Sequence, residues 1–579
     1  MRTELVTTLI TLAFLTHFTT TSSIAHPPWL FSLLSLVLAA AAVTLPFLVS
    51  ARRNGAAAGV AIPGPRGWPL VGSLPAVSGP LMHRRLAALA DAHGGGARRL
   101  MSLRLGFTPV VVSSHPETAR EILTGAAFAD RPPKAAAREL MFCRAVGFAP
   151  AGEYWRRLRR VAGAGMLSPR RIAALEGLRR RVAERMVRAV RGESTERNGG
   201  EVAVRAVLQR AAMESMAGSV LGLEGDGVGK ELGEMVREGY ELVGTFNLGD
   251  HYYTSLWGPL LDLWGVGPRC RRLAERVRGY FGKIIEERRV AGDCQQERDD
   301  LLSYMLALPK EERLEDSDVI AVLWEMIFRG VDVVAILLEW TMARIVLHPD
   351  IQSKAYQELT TVVGSRPITD SDIPNLRYLQ SIVKESLRMH PPGPLLSWAR
   401  LAVHDAQVGK HIVPAGTTAM VNMWAISHDE AIWGDPWVFR PERFMEMEGG
   451  EDVSVLGSDL RLAPFGSGRR VCPGRFMGLA TVHLWLARLL REFEWVPAPE
   501  QPVKLTECLR LSMEMKKPLV CRAVPRGRAS DPHSSNLPDL IGPPPLSLLR
   551  RVAVMAFGPA GFLPGRCLGH SVATGDLQL

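Results

Sequence analysis

The chain has 579 residues, of which 47% are hydrophobic and 22% are charged, and its formal net charge is +10. This composition predicts a globular body and excludes a wholly disordered chain. Seven cysteines without close pairs argue against a disulfide framework or a zinc site and favour a reducing compartment. The basic excess suits an anionic membrane or an acidic protein, whereas the lack of zinc-finger spacing or an RNA-binding aromatic signature argues against nucleic acid as a partner.

The N-terminal region predicts a membrane anchor over residues 1–54. The run 29–49 carries no charge, and at about 1.5 Å per residue it is long enough to cross a bilayer as a helix. Arg52 and Arg53 follow directly, and by the positive-inside rule they place the rest of the chain in the cytosol. Leu5 to Phe18 is shorter and rich in threonine, and whether it is a second span or a signal-like segment stays open.

The next stretch, residues 55–75, is predicted to be a proline-rich hinge, and within it Ala61 to Pro69 predicts a stiff, helix-free backbone. Arg104 to Ser113 predicts a short β-hairpin with Gly106 to Pro109 as its turn. From Val207 onward the pattern is dominated by helical periodicity.

A basic helix is predicted around Trp155. Trp155 and Arg159 are four residues apart, so they share one face of that helix. The simplest interpretation of Arg156, Arg157 and Arg160 is a solvated surface, and docking of an acidic protein is the alternative.

Leu323 to Leu347 is a long, mostly apolar stretch that predicts a helix buried through the middle of the body. At its centre, Gly330 is predicted to leave room for a ligand. Asp332 is a carboxylate in apolar surroundings, which is costly unless the group has a partner or a task. Val331 and Val333 flank this acid and cannot hydrogen-bond.

Glu385 and Arg388 follow on another predicted helix, which ends at Pro391 and Pro392. The two charged residues are three apart and can pair along one face. An ordinary surface ion pair, worth little to stability, is the alternative interpretation.

The stretch from Pro464 to Arg475 places Cys472 among glycines and arginines, directly before an apolar helical run. A thiolate near a helix N-terminus is predicted to have a lowered pKa and to be a good soft metal ligand. Gly468 can take a turn conformation, Gly474 lets a flat ligand approach the backbone, and Arg470 can donate to an acid. Phe465, earlier in the same stretch, is predicted to keep water off the sulfur.

In order and spacing, Phe465, Gly468, Arg470, Cys472 and Gly474 resemble the haem-ligand loop of the cytochrome P-450 superfamily. The resemblance is strongest with the plant 78A subfamily, through the segments 325–330, 393–400 and 423–429. It implies a mainly α fold with smaller β-sheets (α+β), a haem-thiolate catalytic domain over residues 76–525, and haem b with Cys472 as the axial thiolate ligand of its iron. The tail 526–579 lies outside it and, being rich in Pro, Gly and Ser without periodicity, is predicted to be disordered or the product of an altered gene model.

The resemblance also assigns roles to residues on the cofactor's edge and on the cysteine side. Trp155, Arg159 and Arg400 match positions that reach a haem propionate. Glu385, Arg388 and Arg443 match a structural triad that holds the fold around the cysteine loop.

On the oxygen side, the sequence departs from the family pattern. Gly330 and Asp332 match the motif that passes protons towards dioxygen, but Val333 stands where a threonine is usual. Val331 also replaces an expected hydroxyl, so packing is predicted to survive while proton delivery is weakened.

The function implied is that of a monooxygenase with a single-pass anchor in the endoplasmic reticulum membrane, its catalytic domain in the cytosol. It would receive electrons from NADPH through NADPH–cytochrome P-450 reductase, hydroxylate a small lipophilic, fatty-acid-like substrate and help to control plant organ or seed growth. Two alternatives stay open: a haem-thiolate isomerase or dehydratase of oxygenated lipids, and a haem-binding variant with impaired oxygen activation.

Overall fold

The computed structural model describes residues 60–527, except 95, 141, 143, 197–199, 226–228, 253–261, 263, 292–298, 397 and 447–448. The predicted anchor, with its span at 29–49 and the stretch from Leu5 to Phe18, lies outside the described residues, as does almost all of the predicted tail. Among the helices of the described part, none is both long and apolar enough to traverse a bilayer.

Helices make up most of the described chain, as the sequence predicts. In chain order the α-helices are α1 Leu74–Val77, α2 Met82–His93, α3 Pro116–Thr124, α4 Ala135–Leu140, α5 Glu153–Ala162, α6 Pro169–Ala174, α7 Glu176–Glu196, α8 Val204–Leu221, α9 Lys230–Gly244, α10 Val266–Val290, α11 Leu301–Leu306, α12 Asp316–Leu347, α13 Pro349–Val362, α14 Arg377–Met389, α15 Met423–Ser427, α16 Glu430–Trp433 and α17 Arg475–Glu492. Short 3₁₀ turns lie at Ala126–Phe128, Leu248–His251, Asp370–Asn375, Pro441–Phe444 and Gly468–Arg470, and a π turn lies at Gly163–Leu167.

The strands form small sheets. They are β1 Met101–Leu105, β2 Thr108–Ser113, β3 Glu201–Ala203, β4 Arg400–Leu401, β5 Ala406–Val408, β6 His411–Val413, β7 Thr418–Val421, β8 Phe493–Pro497, β9 Glu507–Leu509, β10 Met513–Met515 and β11 Val520–Pro525. One sheet has the order β1-β2-β7-β4 and another β3-β11-β8, while β9–β10 and β5–β6 are two-stranded.

The predicted hairpin is present, but its bounds differ. β1 begins at Met101, before the predicted start, and the turn is only Gly106 and Phe107, because Leu105 already pairs with Thr108. Gly106 has a φ of +58°, a left-handed conformation that favours glycine and closes so short a turn.

Helix α12 passes through the middle of the main hydrophobic core, as its apolar sequence predicts, and begins earlier than predicted, at Asp316. Asp316 and Asp318 lie in its first turn, where acidic side chains are favoured by the helix dipole. Its residues 319–328 and 335–343 are buried, whereas 329, 330 and 332–334 are only half-buried. The middle of an otherwise buried helix therefore borders open space inside the body.

Candidate haem site

The cysteine loop is shaped by two glycines. Gly466 and Gly468 have φ values of +71° and +66°, and a Cβ on Gly468 would collide with the carbonyl oxygen of Leu123 in α3. The backbone N–H of Cys472 donates to the carbonyl of Phe465 at 2.9 Å, which closes the loop before α17 begins. The loop thus holds Cys472 in a fixed place at the start of a buried helix.

The sulfur of Cys472 lies in surroundings with opposing effects on its pKa. Burial raises the pKa of the thiol, while a hydrogen bond from the Gly474 backbone and the cations Arg329, Arg159 and Arg475 lower it, and burial is the largest effect. The prediction of a lowered pKa is therefore wrong for the free thiol, because loss of hydration outweighs the helix N-terminus. Iron coordination would reverse this balance, since a metal-bound thiol is deprotonated.

Gly474 and Phe465, which flank the cysteine in sequence, have different surroundings. A Cβ on Gly474 would meet nothing closer than Leu167 at 4.0 Å, so the backbone there borders open space that a flat ligand can approach. Phe465 is half-buried and packs against the main core.

Arg470 ties the cysteine loop to the segment 129–149. Its guanidinium donates to the carbonyls of Ala129 at 2.9 Å, Val146 at 3.3 Å and Ala149 at 2.7 Å. These bonds use three of its five N–H donors, so Arg470 clamps the loop to this segment and keeps two donors for an acid.

Trp155 and Arg159 share a face of α5, as their spacing predicts. The indole N–H of Trp155 donates to Val146 at 2.9 Å, and its ring lies 4.4 Å from the Arg470 guanidinium and 5.6 Å from that of Arg159. Arg159 donates to the carbonyl of Val471, next to the cysteine, at 2.7 Å. Trp155 thus positions two arginines, while its indole N–H is already bonded to the carbonyl of Val146.

The site concentrates positive charge below the surface. Burial, together with repulsion from Arg470 and Arg159, lowers the pKa of Arg400 to about 9, and burial lowers that of Arg470 to about 10. The pKa of Arg131 falls well below its usual value through burial and repulsion from Arg400, Arg470 and Arg329. Among the described residues the nearest carboxylate to Arg470 is that of Asp130, at 3.8 Å. Bound anions would stabilise such a cluster, and the two carboxylates of a haem are suitable anions.

The residues opposite the cysteine lie on α12. A Cβ on Gly330 would lie 2.5 Å from Cε of Met216 in α8, so the space that Gly330 leaves is filled by α8 and the expected room for a ligand is not found there. Val331 is buried, and Val333 is half-buried in the open middle of the helix. No hydroxyl therefore stands at either position.

Asp332 belongs to a polar network between α12, α8 and β10. Burial and the carboxylate of Glu514 raise its pKa to about 6, against the lowering effects of Arg205, Arg237 and a hydrogen bond with Gln209. An acid with this pKa can hold or release a proton near neutral pH.

The three residues of the predicted triad lie together and are buried. Arg388 donates to both oxygens of Glu385, at 2.7 and 2.9 Å, and Arg443 donates to one of them at 3.0 Å. Arg388 also reaches the carbonyl of Ser427 at 2.8 Å, and Arg443 that of Trp433 at 3.0 Å. The alternative of a surface pair does not fit these contacts, because the side chains of Glu385 and Arg388 are fully buried.

The sequence interpretation missed Arg131 and gave no role to Arg329. Arg131 donates to the carbonyls of Trp398 at 2.7 Å and Ala399 at 3.2 Å, directly before Arg400. The sequence signal for Arg131 was its place before two prolines, which hold its backbone extended.

Within the described residues no cluster of three or more His, Cys, Asp or Glu side chains could hold a metal ion, so metal binding there would depend on Cys472 and a prosthetic group.

Comparisons with known proteins identify the same family as the cysteine loop does. The family model described as Cytochrome P450 matches residues 62–522. Cytochrome P450 78A5 of Arabidopsis thaliana is 51% identical over 511 residues, which are 86% of this chain and 95% of that protein. Cytochrome P450 78A11 of Oryza sativa subsp. japonica is 47% identical over 526 residues, covering 87% and 94%. Flavonoid 3'-monooxygenase of Arabidopsis thaliana is 34% identical over 510 residues, covering 85% and 97%. These matches confirm the resemblance that the cysteine loop predicts.

Proposed function

The chain belongs to the cytochrome P450 family of monooxygenases, and from this membership we propose that it hydroxylates a small lipophilic, fatty-acid-like substrate. The observation that carries the proposal is Cys472, held at an open face of its loop beside buried arginines that need anions. When bound there, haem would supply the activation of dioxygen and the insertion of one oxygen atom into a C–H bond.

We assign distinct tasks to the side chains around the cofactor. Cys472 would be the axial ligand, and the N–H of Gly474 would stabilise its negative charge. Arg159, Arg400 and Arg131 would hold the two carboxylates, while Arg470 and Trp155 keep those arginines in place. Phe465 would exclude water from the sulfur, and Gly468 would keep the loop in its conformation.

Asp332 would supply protons to the distal side. Its raised pKa of about 6 suits proton exchange, and Glu514, which lies beside it in the network, is partly exposed and pairs with the exposed Arg510 at 3.2 Å. Val333 cannot continue this relay, because valine has neither donor nor acceptor.

The missing hydroxyl at Val333 favours a second candidate, an isomerase or dehydratase that rearranges an already oxygenated lipid and needs no proton delivery to dioxygen. A third candidate is a haem-binding variant that releases reduced oxygen as peroxide. Product formation by purified protein with reductase, measured with and without NADPH and dioxygen, distinguishes them. The proposed monooxygenase requires both; product without either would support the second candidate, and peroxide without product the third.

We place the enzyme at the endoplasmic reticulum membrane, with residues 29–49 as its anchor, membrane lipid around that span and the catalytic domain in the cytosol. Electrons would come from NADPH through NADPH–cytochrome P-450 reductase, and the exposed Arg156 and Arg160 of α5 offer positive charge for an acidic partner. A role in plant organ or seed growth rests on subfamily resemblance. Fractionation of plant cells expressing the full chain and a chain lacking residues 1–54 tests the location: only the full chain should sediment with microsomes.

A further inference from the structure

Arg329 is a cation without a counter-ion at the open middle of α12. It is half-buried, and among the described residues no carboxylate lies within ion-pair distance of its guanidinium, which instead lies 5.3 Å from the ring of Trp398. Arg329 is four residues before Val333, so the two share a helix face. A half-buried unpaired charge is costly and indicates a function or an absent partner.

The charge of Arg329 acts on groups from several sides of this space. It opposes the burial that raises the pKa of Cys472 on the cysteine loop, and it adds to the burial that lowers the pKa of Arg131 beside Trp398. Burial also raises the pKa of Tyr240 on α9 and that of Glu325, one turn earlier on α12, and the charge of Arg329 opposes both rises. The guanidinium is therefore close to the cysteine loop as well as to α9, and not on the outer surface.

Tyr240 supplies a second unused donor. Its hydroxyl is buried and lacks a hydrogen-bond partner, and its ring lies 4.7 Å from that of Phe328, the residue before Arg329. Buried hydroxyls are nearly always hydrogen-bonded, so one without a partner indicates a missing ligand atom. The neighbouring walls are apolar, with Phe148 packed at 4.4 Å against Trp398.

We propose that Arg329 and Tyr240 form a binding site for the carboxylate of an amphipathic acid substrate, whose apolar part lies along Val333 and the aromatic wall. A planar guanidinium matches a carboxylate with two parallel hydrogen bonds, and the phenol adds a third. One unpaired positive charge balances a monoanion and not a dianion such as a phosphate ester. The inference rests on the proposed function, whose fatty-acid-like substrate it specifies as a free acid.

A haem carboxylate is the other possible source of the same chemistry. Arg131, Arg159 and Arg400 already offer three cations for the two haem carboxylates, of which Arg400 is buried and the other two are half-buried, whereas Arg329 and Tyr240 lie on α12 and α9. The two sources make different demands: a substrate-binding Arg329 is dispensable for haem retention, and a cofactor-binding one is not.

Equilibrium dialysis of the full-length, haem-loaded protein with labelled dodecanoic acid and its methyl ester tests the proposal. Wild type is expected to bind the acid at least about tenfold more tightly than the ester, since hydrogen bonds to charged groups are worth this much. Arg329→Gln is expected to bind both equally with unchanged haem content, and Tyr240→Phe to show an intermediate ratio. Arg188→Gln, which removes an exposed arginine of α7, should keep the wild-type ratio.

Several results would overturn the proposal. They are equal binding of acid and ester by wild type, binding of neither, an acid preference that survives Arg329→Gln, or loss of haem from that variant with the preference intact. If Arg329→Gln does not fold, Arg329→Lys decides instead. Lysine keeps the charge but loses the planar guanidinium, so this variant should weaken binding of the acid and leave binding of the ester unchanged. The carbon monoxide difference spectrum of the same samples reports the haem–thiolate bond separately, so failure of the proposed function is distinguishable from failure of this inference.

Discussion

Replacing Glu385 with glutamine tests how the fold around the cysteine loop is held. The carboxylate accepts two hydrogen bonds from Arg388, one from Arg443 and one from the backbone N–H of Arg440 at 3.0 Å. Glutamine has nearly the same shape but no charge, so it leaves two buried guanidinium groups without a counter-ion. Removing one partner of a buried ion pair costs about 3–5 kcal/mol, and we expect a loss of that size in the free energy of unfolding.

The matched control is the neighbouring residue on the same helix. Lys384 pairs with Asp452, whose side chain is 66% exposed, and such a surface pair is worth less than about 1 kcal/mol. Lys384→Gln therefore changes charge at an adjacent position without leaving a buried charge unpaired.

Urea unfolding of the haem-loaded full chain, followed by tryptophan fluorescence and by absorbance of the bound haem, measures both variants. Glu385→Gln should unfold at a much lower urea concentration than Lys384→Gln and should lose haem together with the fold. Equal midpoints for the two variants would refute the account of a buried triad that supports the loop.

Three further predictions concern the site itself. Val333→Thr should raise product formed per NADPH consumed in reconstituted turnover if the missing hydroxyl limits proton delivery, and no gain would count against a relay lost at this position. The pKa of Asp332 is raised to about 6 in the folded protein, so folding favours the neutral acid and the free energy of unfolding falls as pH rises from about 4 to about 6. Asp332→Asn should remove this pH dependence and be up to about 3 kcal/mol more stable than wild type above pH 6, as measured by urea unfolding across pH. The same variant should turn over more slowly. Arg400→Met should stabilise the haem-free protein, because it removes a buried cation, yet lower haem retention in dialysis against apomyoglobin; faster haem loss without apo-stabilisation would contradict the repulsion argument.

The parts of this molecule that the sequence predicts are those set by nearby residues. The part of α12 from Leu323 onward follows from a continuous apolar pattern, and the hairpin around Gly106 from turn chemistry. The cysteine loop follows from five positions close together in the chain. The family resemblance, which the comparisons confirm, rests on that same local pattern.

What the sequence does not predict depends on distant segments meeting. No local spacing rule connects Arg443 with Glu385 across 58 residues, and only the family resemblance implies that contact. Arg131 is repelled by arginines that only the fold brings near. The predicted low pKa of Cys472 is wrong because local geometry favours the thiolate while tertiary burial opposes it more strongly. Gly330 serves packing against Met216, a residue on another helix that no spacing rule connects with it.

The measurement that tests the central claim most directly is the carbon monoxide difference spectrum of the purified, reduced full-length chain and of Cys472→Ser. Wild type should show the spectrum typical of a thiolate-ligated haem, and Cys472→Ser should lose it, because the buried thiol at the open face of the loop is the proposed iron ligand. A wild-type protein without that spectrum, or a Cys472→Ser variant that keeps it, would contradict the assignment of Cys472.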